Sequence, residues 1–77
     1  FVDKKEIQNT IDKIKQAYNT DDVIAVYGIG FDSINAETNA HNNVWAYNYA
    51  GYNCAPVIGR AEDKNGSAVA VRYVFKL

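Results

Sequence analysis

Several things that commonly hold a small domain together, or give it chemistry, are scarce in this 77-residue chain. It has one cysteine, Cys54, so no intrachain disulfide forms and no cysteine-based zinc site can be assembled within one chain. There is one proline and one histidine, and no methionine at all. The missing methionine and the start at Phe1 are read as those of a processed product or an excised domain. Charge of one sign is also missing: eight basic and nine acidic residues leave a net charge of −1. A nucleic-acid backbone is usually met by a basic stripe, so a nucleic-acid partner is not expected. The longest apolar run, Val23–Tyr27, is far too short to cross a bilayer, and no membrane insertion by this segment is expected. Nothing in the sequence points to a localisation.

What is present is globular. Hydrophobic residues make up 48% and charged residues 22%, which is too apolar for intrinsic disorder, and ten residues are aromatic. The length allows one domain, residues 1–77, with no room for a second. A core of this size supplies only about 3–5 kcal/mol, and here it must do so by packing alone.

Ile7, Ile11, Ile14 and Tyr18 recur at spacings of four, three and four, which is one face of a helix over residues 3–18. Asp3 as N-cap with Glu6 three residues on reads as a capping box, and Val2 with Ile7 as a hydrophobic staple. Lys4, Lys5, Lys13 and Lys15 interleave with acids, as on a solvated helix face. Val23–Phe31 reads as a strand with apolar residues on both faces, hence central in a sheet. Gly28 and Gly30 share a face, which calls for a bulge or the close approach of another element. They do not extend to a dinucleotide-binding GxGxxG.

Asp32–Asn43 is polar and asparagine-rich and is read as a long loop. Val44–Ala50 alternates Trp45, Tyr47 and Tyr49 against Ala46 and Asn48, the pattern of a second strand. Ala55–Glu62 is the third strand and Ala68–Leu77 the fourth, joined by a hairpin at Asp63-Lys64-Asn65-Gly66. A three-residue loop with Gly66 in a bulge would pair Ala61 with Val69, Gly59 with Val71, Val57 with Tyr73 and Ala55 with Phe75. Those pairs are all apolar and send Arg60 and Arg72 to the other face, so this register is expected. The predicted fold is α+β: one N-terminal amphipathic helix on a four-stranded antiparallel meander, in the order α-β-β-β-β.

Chemistry-bearing residues are few. His41 with Asp32 and Glu37 matches no compact metal motif, and neither a metal nor a cofactor is expected. Cys54 beside His41 lacks the surrounding sequence of a cysteine nucleophile, and Cys54 is expected as a small core residue. No catalytic residue is assigned and the chain is not expected to be an enzyme. Asn65-Gly66-Ser67 matches a glycosylation sequon, but Asn-Gly is explained by the turn.

The aromatic stripe Trp45, Tyr47, Tyr49, with Tyr52, is the most informative feature. Its first reading is core, packed beneath the helix, with Asn48 marking the wet face. Placed instead on the open sheet face, flanked by Arg60, Arg72 and Lys76, it becomes an interface, since Tyr, Trp and Arg are enriched at interface hot spots. The leading expectation is a non-enzymatic module that binds a protein partner or its own copy through the open face or an edge strand. The alternative is a small-ligand or carbohydrate-binding domain that uses Trp45 and its tyrosine neighbours beside the Asp32–Asn43 loop.

Overall fold

The computed structural model describes residues 4–55, 62–64 and 67–77. The first helix, α1, runs from Lys4 to Tyr18, as its apolar spacing requires. Ile14 is fully buried, while Ile7 and Ile11 pack at the rim of the same cluster with Val23, Ala25, Val71, Tyr73 and Phe75. Tyr18 stacks on Phe75 with ring centroids 4.1 Å apart. Asn19 then takes a left-handed φ of 51° and turns the chain out of the helix. The expected caps at Asp3 and Val2 lie outside the described residues.

Strand β1, Asp22–Gly30, follows after this tight connection and runs back along α1. The chain does not then enter a loop. A second helix, α2, occupies Ser33–Tyr49, where a polar loop and a strand were expected. Its start is fixed by Asp32, whose carboxylate accepts from the Asn35 backbone amide at 2.8 Å, a standard N-cap. Short strands β2, Asn53–Cys54, and β3, Glu62–Lys64, precede the long strand β4, Ser67–Lys76.

All strand pairs are antiparallel. β4 is central, with β1 on one side and β2 and β3 on the other, so the sheet is three strands wide. The predicted one-helix meander is therefore replaced by two helices and the element order α-β-α-β-β-β. Even-numbered residues of β1 and β4 face α2: Val26, Val44 and Val74 form one cluster, and Ala36, Ala40, Ala68 and Ala70 another. Odd-numbered residues face α1. The two helices thus cover opposite faces of the sheet.

This layering explains why β1 looked central. Its apolar residues on both faces reflect a helix above and a helix below, yet β1 is an edge strand with β4 as its one strand neighbour among the described residues. Gly28 and Gly30 do mark a close approach, by α2 itself. A Cβ on Gly28 would lie 2.1 Å from the Ala40 amide nitrogen, and one on Gly30 would lie 2.6 Å from that of Ala36. The helix backbone rests directly on the strand backbone.

The hairpin falls where expected, but its register differs. Glu62 pairs with Val69 and Lys64 with Ser67, which brackets a two-residue loop in place of three. An Asn-Gly pair is the preferred tight connection, and it outweighs the apolar matching that favoured the longer loop. Phe75 pairs with Asn53, and Ala55 donates to the Tyr73 carbonyl, so the expected Ala55–Phe75 pair does not form. The expected Ala61–Val69 pair gives way to Glu62–Val69, while the remaining expected pairs, the body of the third strand, Arg60 and the sequon asparagine Asn65 lie outside the described residues.

Candidate functional site

The length of α1 decides what the sheet leaves open. Fifteen helical residues span about 22 Å at about 1.5 Å each, which covers roughly seven strand residues at about 3.3 Å each. Because α1 and β1 meet at the start of the strand, coverage runs out towards its end. Tyr27 is 46% and Ile29 67% exposed on the α1 side of the strand, Phe31 just past its end is 73% exposed, and Ile34 in the first turn of α2 is 76% exposed. Four large apolar side chains within eight residues thus face solvent at one end of the molecule. None was picked out from the sequence, because alternation assigns Tyr27, Ile29 and Phe31 to a buried face. The available signal was the mismatch between the length of the helix and that of the strand.

Beside this patch runs the outer edge of β1. The Ala55–Tyr73 hydrogen bond directs the main chain of Tyr73 towards β2. By alternation, even-numbered residues of β4 then bond β1, and Val23, Ala25, Tyr27 and Ile29 point their amides and carbonyls outward. Two of these groups are already engaged from α2. Asn43 Nδ2 donates to the Tyr27 carbonyl at 2.7 Å and Asn39 Nδ2 to that of Ile29 at 2.6 Å.

The residues expected to form a site are dispersed. Trp45, Tyr47 and Tyr49 lie on a helix, where successive residues turn by about 100°, so they form no stripe. Trp45 is 52% exposed and meets His41 edge-on, with centroids 6.3 Å apart; Tyr49 is almost wholly exposed. The core reading of the stripe therefore fails for Trp45 and Tyr49. Tyr47 is half-buried and packs edge-on against Tyr52. Arg72 does not flank an open face. It lies half-buried on the α2 side with Nη2 3.5 Å from His41 Nδ1, and its buried Nε has no partner among the described residues.

Comparison of the chain with protein-family models, curated proteins and solved structures yields no match. The reading of the surface therefore rests on its physical chemistry.

Tyr52 closes the end of the molecule opposite the apolar patch. Its hydroxyl lies 3.0 Å from both carboxylate oxygens of Asp22, and Lys76 Nζ sits 5.6 Å from its ring centroid. The bond to Asp22, with lesser contributions from burial and from the carboxylate charge, pushes the phenol pKa upward. This corner joins the loop after α2 to the start of β1 and the end of β4.

The remaining candidates are placed as follows. His41 and Glu37 sit on α2 while Asp32 is engaged as its cap, and no metal-ligating cluster occurs among the described residues. Cys54 is exposed, not a core residue. The expected Asp32–Asn43 loop is the first half of α2, so the carbohydrate reading loses the flexible hydrogen-bonding loop it relied on. Although a helix does follow Gly28-Ile29-Gly30, both glycines are occupied by α2 and Asp32 holds the helix N-terminal amide, so a nucleotide reading is still unsupported. No helix among the described residues is long and apolar enough to cross a membrane.

Proposed function

We propose that this chain is a non-enzymatic interaction module that binds protein, either a second copy or another chain, through the apolar end of the sheet. The observation that carries this reading is the exposure of Tyr27, Ile29, Phe31 and Ile34 together. Single exposed apolar residues are ordinary, but four large ones within eight residues at one end of the sheet are what an interaction surface offers. Four large side chains, each about half to three-quarters exposed, fall within the range of the largest patch on an ordinary monomer, about 300–600 Å². That is below the roughly 800 Å² per partner of a standard stable complex, which places the association in the weak, reversible class.

Sedimentation of the wild-type chain beside an Ile29→Lys/Phe31→Lys variant tests this directly. Both sites are exposed, so the variant keeps its fold. Concentration-dependent self-association that disappears in the variant supports a second copy as occupant. A monomeric wild type that binds an apolar dye several-fold more than the variant supports another chain. A monomeric wild type indistinguishable from the variant in dye binding overturns the patch as an interaction surface.

A further inference from the structure

Among the described residues β1 is an edge strand, and edge strands invite pairing with other chains unless something blocks them. The outer edge of β1 presents the main-chain groups of Val23, Ala25, Tyr27 and Ile29. Along half of that row, α2 supplies donors to the carbonyls. Asn39 and Asn43 lie four apart on the helix and reach carbonyls two apart on the strand. Four helical residues rise about 6 Å and two strand residues about 6.7 Å, so the repeats of the two elements match. The match depends on the glycine seam, since Gly28 and Gly30 let the Ala36 and Ala40 backbone settle onto the strand. In the segment Ala36-Glu37-Thr38-Asn39-Ala40-His41-Asn42-Asn43-Val44, each buried small residue after the first is preceded by an asparagine at the edge.

We propose that Asn39 and Asn43 are edge guards: by holding the Tyr27 and Ile29 carbonyls they close β1 to strand addition, confining partners to the apolar patch. Asparagine is a poorer helix former than alanine, so its repetition here needs a reason. Its short amide side chain supplies one, being a donor that reaches a neighbouring carbonyl without covering the patch. With both guards in place, an added strand meets main-chain groups at Val23 and Ala25 that are unpaired among the described residues, but occupied carbonyls at the next two outward positions. Two residues are too few to hold an extended segment, because isolated two-stranded pairing is marginal even at full length.

The test replaces both guards by alanine, Asn39→Ala/Asn43→Ala, in a Phe31→Lys background that weakens patch-driven association. Alanine favours the helix, so loss of helix propensity is not the cause of any effect. Asn42→Ala, an exposed asparagine on the same helix, is the control. The guard variant is expected to self-associate at least tenfold more tightly than the control, with a rise in far-UV β signal. The single variants, each retaining one guard, fall between. A guard variant that keeps its helix signal and sediments like the control overturns the proposal; if the double variant does not fold, the single variants decide by the same comparison. The two readings fail separately, since the wild type reports on the patch and the Phe31→Lys background on the edge.

Discussion

Among the described glycines, Gly28 is the one where an added methyl group meets the closest neighbours. The added Cβ would fall 2.1 Å from Ala40 N, 2.3 Å from Ala36 O and 2.6 Å from Ala40 Cα. These are main-chain atoms, so no rotamer change relieves the overlap, and α2 must lift off the sheet by on the order of 1 Å. A gap of that size forfeits a quarter to a half of each dispersion contact beneath the helix. The contacts at stake join Ala36, Ala40 and Val44 to Ala68, Ala70, Val26 and Val74. The two asparagine bonds to β1, now 2.6 and 2.7 Å, would stretch as well, at about 1 kcal/mol each. Overpacking costs about 1–3 kcal/mol and the reduced entropy of the unfolded chain returns about 0.4–1 kcal/mol. The net loss is roughly 3 kcal/mol, comparable to the whole stability of a domain this size. Urea unfolding followed by Trp45 emission and far-UV circular dichroism reads it, because Trp45 rides on the displaced helix. Gly28→Ala should be largely unfolded or lack a cooperative transition. Adding Ala40→Gly should not rescue it, since the obstruction is backbone. Gly51→Ala makes a useful contrast, with its Cβ in ordinary contact with Lys76 Cε at 3.8 Å but a φ of +92°; it should cost about 1–2 kcal/mol through conformation alone. A Gly28→Ala protein within about 0.5 kcal/mol of wild type would refute the seating of α2 on β1.

Three further outcomes are expected. Ile14→Ala removes the one fully buried side chain of α1 facing Tyr73 and Phe75, and should lower the urea-derived stability by about 2–5 kcal/mol, whereas Ala17→Gly on the exposed side of α1 should cost no more than about 1 kcal/mol. Asp32→Ala removes the cap of α2 and should cost about 0.5–2 kcal/mol, with Asp32→Ser restoring most of it in the same assay. Alkaline pH should unfold the chain: Tyr52 is raised above 10.0 first by its bond to Asp22, and Tyr73 is raised first by burial. Each folded-state pKa lies above the unfolded value, so the neutral phenols favour the fold fully below pH 10 and that contribution disappears as pH climbs through the folded values. A pH titration of Trp45 emission should therefore show a transition above pH 10 that moves in Tyr52→Phe; an identical midpoint in that variant would remove Tyr52 from the explanation.

The elements legible in the sequence are those whose own pattern carries their burial. Helix α1 announces itself through Ile7, Ile11 and Ile14 at helical spacing, and β4 through the alternation of Val69, Val71, Tyr73 and Phe75 with smaller or polar residues. The Asn-Gly pair marks the hairpin, and Gly28 and Gly30 mark a close approach. Helix α2 was illegible for the opposite reason. Its buried face is Ala36, Ala40 and Val44, too small to register as a hydrophobic stripe, and its flank is asparagine, which reads as loop. The Trp45, Tyr47, Tyr49 alternation then imitated a strand, since a period of two in three residues does not distinguish the two elements.

What turns that segment into a helix is the surface it meets. Gly28, Gly30, Ala68 and Ala70 form a shallow seat that only a helix with alanines along one side can enter, and the β1 edge gives Asn39 and Asn43 their carbonyl partners. The apolar patch has the same origin, since α1 is shorter than the strand it covers. The sequence alone determined a helix with a single apolar stripe, a long amphipathic strand and the place of its hairpin, because each depends on neighbours along the chain. Tertiary structure alone decided that a second helix exists, that β1 is an edge, and which aromatic residues face water, because those depend on surfaces brought together from distant parts of the chain.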